Sequence, residues 1–131
     1  MNGGEILDAV RASAAEALAI PAGDVTPGSA LVDDLGAESI DLLDMLFRLE
    51  RKTGVKIKAA ELRTFITGGM PPEVFADADG RVSDKAYAHL VTVMPQLGPE
   101  TRALEATKVI NRLTVQNVAD LLSTRLAGAA G

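Results

Sequence analysis

Ser39 is the residue whose type and setting point most directly to chemistry. It follows Leu35, Gly36, Ala37 and Glu38, and it opens an amphipathic run that begins with Ile40, after an acidic loop containing Asp33 and Asp34. A serine before an apolar helix is commonly an N-cap, accepting a hydrogen bond from a backbone N–H one turn on. A hydrolytic nucleophile would need a base beside it, and the local sequence supplies none. His89, the sole histidine, has no cysteine and no second histidine to complete a metal set or a nucleophilic dyad, and reads as a surface or boundary residue. Asp77, Asp79 and Gly80 look like part of a calcium loop. With Gly80 at the turn, however, the first and last ligand positions fall on Phe75 and Ala86, which cannot coordinate, so no metal site is expected.

The surroundings of Ser39 carry charge and apolar surface in an ordered way. Asp33, Asp34, Glu38, Asp41 and Asp44 follow one another with no Lys or Arg between them. On a loop and the first turns of a helix, such acids complement the positive end of the dipole and present a patch that steers basic partners. Further along, Arg48, Arg51 and Lys52 stand against Glu50. The helix is apolar over more of its circumference than one core contact needs. Leu42, Met45, Leu46 and Leu49 form the core stripe, and Ile40, Leu43 and Phe47 form a second stripe on its shoulder. That shoulder is either free for a partner or covered by the long segment downstream.

This stretch resembles the acyl carrier protein family. The family's attachment signature is a glycine, any residue, an acid or asparagine, then serine and an aliphatic, and GAESI matches it. The likeness runs through DLGAESIDLLDMLFRLERKTGVKI, takes in the first helix, and returns in LTVQNVADLL. The resemblance implies that Ser39 accepts a 4'-phosphopantetheine arm, delivered from coenzyme A by a separate phosphopantetheinyl transferase. Ser39 would then be a substrate, and the chain a carrier rather than an enzyme. A phosphodiester at that position would sit against the free N–H groups and the dipole of the helix. The resemblance also implies that Ile40, Leu43 and Phe47 lie beside the arm. Together with Asp34, Glu38, Asp41 and Asp44 they would meet acyl-loading, synthase or acyltransferase enzymes with basic surfaces. Arg48, Arg51 and Lys52 depart from the acidic later turns of carriers for general fatty-acid synthesis. VSDKAYAHL, joined to SIDLLDMLFRLERKTGVKI, resembles specialised carriers of very long acyl chains for lipid A. The expected function is therefore an acyl carrier for fatty-acid or specialised lipid synthesis. The alternatives are a carrier in a polyketide or peptide pathway, or a helical interaction module that is never modified.

Positioning Ser39 requires helices, and their start and stop signals are present. Ile6, Val10, Ala14 and Leu18 recur every fourth residue and predict a first helix over 5–20. Pro21 to Glu38 reads as a long ordered loop. The second helix runs from Ser39 to Thr53 and stops at Gly54, with Arg51 and Lys52 complementing its negative end. Thr114 is the expected N-cap of a closing helix bearing Val115, Val118, Ala119, Leu122 and Leu126. Between them lies far more chain than the roughly 30 residues that a helix, a short helix and their loops would need. The sequence predicts a helix over 59–67 ended by Gly68 and Gly69, a loop over 70–81, a helix capped by Ser83 and reaching Met94, and another opened by Pro99. The expected fold is all-α: a four-helix bundle of acyl-carrier type in one domain, 1–131, with extra helices inserted at about 58–112 between the second and last helices.

Composition narrows the remaining classes. With 131 residues the chain makes one modest core, and with 0 Cys it has no disulfide or thiolate chemistry of its own. A net charge of -5 argues against a general nucleic-acid binder. The acidic N-terminal stretch and the short uncharged run from Ala86 to Pro99 predict neither a secretory leader nor a membrane span, hence a cytoplasmic protein.

Overall fold

Asn2 starts the first helix by a reciprocal cap: its Oδ1 accepts from the Glu5 N–H at 2.9 Å, and the Glu5 carboxylate accepts from the Asn2 N–H at 3.1 Å. The computed structural model describes the backbone of residues 1–130 and the side chains of residues 1–127. Helix α1 spans Gly3–Leu18, two residues ahead of the predicted bounds, and ends on Ala19 in the left-handed conformation, φ 55°. α2 spans Ser39–Thr53 and is closed by Gly54 at φ 76°, where a side chain would be strained. α3 spans Ala59–Thr67, α5 Asp84–Val93 and α6 Val115–Ala130. α4 is a single turn, Pro72–Phe75, inside the stretch expected to be loop. Two consecutive prolines, Pro71 and Pro72, preset its φ angles. The helix expected from Pro99 is instead two tight 3-10 segments, Pro99–Ala103 and Ala106–Arg112. No strand occurs among the described residues; Arg81 and Val82 make only isolated bridges, to Glu105 and Ala76.

The core is continuous through these elements. Ile6, Val10 and Ala14 of α1 face Met45, Leu46 and Leu49 of α2 and Val118 and Leu122 of α6, and all are buried. Leu62, Ile66, Phe75, Leu90 and Val109 of the central segment belong to the same cluster. Burying one such leucine contributes about 2 kcal/mol.

The loop that delivers Ser39 is pinned to the residues before α6. Leu31 N–H donates to the Leu113 carbonyl at 2.9 Å, Val115 N–H to Ser29 at 3.1 Å, and Asp33 N–H to Asn111 at 3.2 Å. Val25, Leu31 and Ala37 plug the core beneath. Gly36 turns the chain at φ 73°, and the Ala37 N–H closes the turn onto the Leu31 carbonyl at 2.9 Å. A loop so anchored holds the start of α2 in one place.

Candidate attachment site at the start of the second helix

Glu38, not Ser39, is the N-cap of α2. Its backbone is extended, φ -98° and ψ 171°, and its carbonyl accepts the first helical bond from Leu42 at 3.1 Å. Its N–H donates to the Asp41 carboxylate at 2.9 Å. Ser39 is the first helical residue and is exposed. The reading of Ser39 as a mere cap is thereby corrected: the capping position is one residue earlier, and the serine hydroxyl is left to solvent.

The acids around it divide into two groups. Asp33 pairs with Arg112 at 3.0 Å and Asp44 with Arg48 at 3.1 Å, so their charge is largely answered. Asp34 accepts the Ala30 N–H at 2.8 Å and, like Asp41, is bonded to backbone alone, which orders the carboxylate and leaves its charge in place. Negative potential at the start of α2 therefore centres on Asp34, Glu38 and Asp41. The later basic turns are turned toward α1: Glu16 accepts from Lys52 at 2.9 Å and lies 3.5 Å from Arg48. The Lys52 hydrogen bond, helped by the charges of Lys52 and Arg48, holds the Glu16 carboxyl below its ordinary value.

The shoulder of α2 is bare. Ile40 is 70 % exposed, Leu43 54 % and Phe47 58 %, so the central segment does not cover this stripe. The Arg51 guanidinium stands 5.9 Å from the Phe47 ring centroid. On the core side, Met45, Leu46 and Leu49 are buried and Leu42 is half-buried. Leu42 lines an open-sided cavity of about 230 Å³ whose walls also include Ser39, Leu46, Leu62, Arg63 and Ile110.

Sequence reasoning missed Arg63. Ala59, Leu62, Arg63 and Ile66 fall at helical spacing on one face of α3, and a lone arginine within an apolar face was the available signal. The decoys have local explanations. The Asp77 carboxylate accepts the N–H groups of Asp79 at 2.8 Å and Arg81 at 3.0 Å, closing a turn. His89 is half-buried, with Nε2 2.9 Å from the Phe65 carbonyl and its ring packed over Gly68, which holds α5 against α3.

Comparison with known proteins places this geometry. The model of the phosphopantetheine attachment site family matches residues 8–67, a span that includes the whole of α2. The acyl carrier protein of Thermotoga maritima is 38% identical over 65 residues, 50% of this chain and 80% of that protein. The chain belongs to the acyl carrier protein family. The acyl carrier protein of Saccharopolyspora erythraea is 31% identical over 88 residues, 67% of this chain and 93% of that protein, and that of Helicobacter pylori strain G27 is 34% identical over 64 residues. No solved structure matches the chain. Acyl carrier proteins are carriers rather than enzymes, they hold a covalent 4'-phosphopantetheine, and they work with transferases and synthases. Among the described residues, no helix of this acyl carrier protein is long and apolar enough to cross a membrane.

Proposed function

We propose that Ser39 is the attachment residue and that this protein carries acyl groups for fatty-acid or specialised lipid synthesis in the cytoplasm. The observation that supports this best is the exposed Ser39 hydroxyl, released from capping by Glu38 and standing at the rim of an apolar cavity. The residues present suit the arm. The N–H groups of the first turn of α2 suit its phosphodiester, because they have no partners within the helix and lie at the positive end of the dipole. When attached, the arm supplies a thiol that holds the acyl group as a thioester. Leu42, Leu46, Leu62 and Ile110 keep water from a chain lying against them.

Partner enzymes would approach along Ile40, Leu43 and Phe47, guided by Asp34, Glu38, Asp41 and Asp44. The exposure of the three apolar side chains favours this docking, and the charge of Asp34, Glu38 and Asp41 favours basic surfaces. In the same reading the chain is one domain whose insertion, at about 58–112, serves the cargo; the shared core of the central helices supports it. The likeness of VSDKAYAHL to carriers for lipid A makes a very long acyl chain the specialised cargo to try first.

The test is direct. Co-expression with a phosphopantetheinyl transferase should raise the intact mass by about 340 Da, and Ser39→Ala should abolish the gain. An unchanged mass would leave an unmodified interaction module. A gain with a polyketide or peptidyl intermediate bound would reassign the pathway and keep the site.

A further inference from the structure

A second cavity lies beyond the one at Ser39. It measures about 300 Å³ and sits between α3, the single turn α4 and the segment 106–112, with Ile66, Met70, Phe75 and Ala106 on its walls. Arg63 and Ile110 line both cavities. The two spaces are therefore neighbours with Arg63 and Ile110 on their shared wall, and a trough running from Ser39 to Phe75 forms where these two side chains move aside. Its far half is built entirely from residues of the central segment.

The shape and lining suit one kind of occupant. A compact polar ligand would find few partners on walls of Ile, Met, Phe and Ala, whereas a flexible hydrocarbon loses unfavourable contact with water along its whole length. The near end opens at Ser39, so a chain tethered there enters the trough from one end. At the junction the Arg63 side chain is exposed, and among the described residues no acid pairs with it. Its methylene stem can lie along the trough or swing aside while the guanidinium stays in water.

We propose that the second cavity holds the distal part of a long acyl chain tethered at Ser39 and threaded past Arg63 and Ile110. A chain short enough to end in the first cavity leaves the second unfilled. The central segment thus sets the longest chain the protein shields. This rests on Ser39 carrying the arm, and the experiment separates the two statements.

The chain has no tryptophan, so Thr107→Trp places a single reporter on the wall of the second cavity. The variant is loaded with an omega-bromopalmitoyl or an omega-bromooctanoyl arm, and intact mass verifies loading. The palmitoyl form should lose most of its indole emission to the terminal bromine, while the octanoyl form should keep it. Adding Ala106→Phe, which fills the cavity, should restore emission in the palmitoyl form. Should that double variant fail to fold, the comparison of the two chain lengths still decides. Equal emission from the two loaded forms would overturn the proposal while the attachment reading stands. Equal quenching by free omega-bromopalmitate would overturn it too, by showing that the tether is not what brings the chain there. Absence of any mass gain would overturn both.

Discussion

At Phe47 a role in docking can be told apart from a role in folding. The residue is 58 % exposed on the same stripe as Ile40 and Leu43, and the Arg51 guanidinium stands over its ring. Removing an exposed ring changes stability by about 0.5 kcal/mol or less. Removing an anchor from the centre of an interface costs about 2 kcal/mol, well over tenfold in affinity. Phe47→Ala should therefore leave the melting temperature within about 2 °C, and weaken the apparent affinity for a phosphopantetheinyl transferase more than tenfold. A large fall in melting temperature with unchanged transferase kinetics would make Phe47 a structural residue. Asp34→Asn provides the complementary case. Its oxygen can still accept from Ala30, so the loop should hold, while transfer should slow most at low salt, where steering acts furthest.

Between elements, the clasp of α1 on α2 has a defined pH dependence. Glu16 reaches Lys52 and Arg48 across the interface, and its folded-state carboxyl is held below the ordinary value of 4.5. A depressed carboxyl contributes stability that is fully present above the unfolded value and disappears as pH falls through the lower folded value. Wild type should thus melt slightly above Glu16→Gln at neutral pH, and the gap should close below about pH 4.5. A gap that widened in acid would mean that the carboxylate is unfavourable where it stands. The helices themselves were legible because their ends are chemically local: Gly54, Gly68, Ser83 and Thr114 mark boundaries within a few residues of chain. The one-turn α4 and the two 3-10 segments were not, since four to seven residues are too few to establish a period. The start of α2 at Ser39 was legible from GAESI, but its cap, Glu38, was not. Glutamate is a weak N-cap by type, and here the Asp41 carboxylate, which accepts the Glu38 N–H, supports the turn. Whether the shoulder of α2 lay bare depends on where residues far away in sequence fold, and no local pattern records that.

Across the whole molecule, the start of α6 ties the central segment to the loop that presents Ser39. Asn117 is buried, 1 % exposed, and its Oδ1 accepts from the Thr114 N–H at 3.0 Å and from Gln96 Nε2 at 2.7 Å. Its Nδ2 donates to Gln96 Oε1 at 3.1 Å and to the Val93 carbonyl at 3.4 Å, while Thr114 Oγ1 accepts the Asn117 N–H at 3.1 Å. One amide thus joins the end of α5, the turn after it and the cap of α6. Thr114 and its neighbours are in turn the residues to which Leu31 and Ser29 are bonded, and Ala30 pairs with Thr114 in an isolated bridge. Asn117→Ala removes half of a reciprocal cap and strands the buried Thr114 N–H, a loss of about 2–3 kcal/mol. That should lower the melting temperature by roughly 10 °C. If the knot carries order to the site, the amides of Leu31 and Ala37 should also exchange faster in the variant, although neither is hydrogen-bonded to Asn117. Fast exchange confined to Asn117 and Gln96 would show instead that the loop before Ser39 is held by its own packing of Val25, Leu31 and Ala37, and that the central segment and the start of α2 fold as neighbours without coupling.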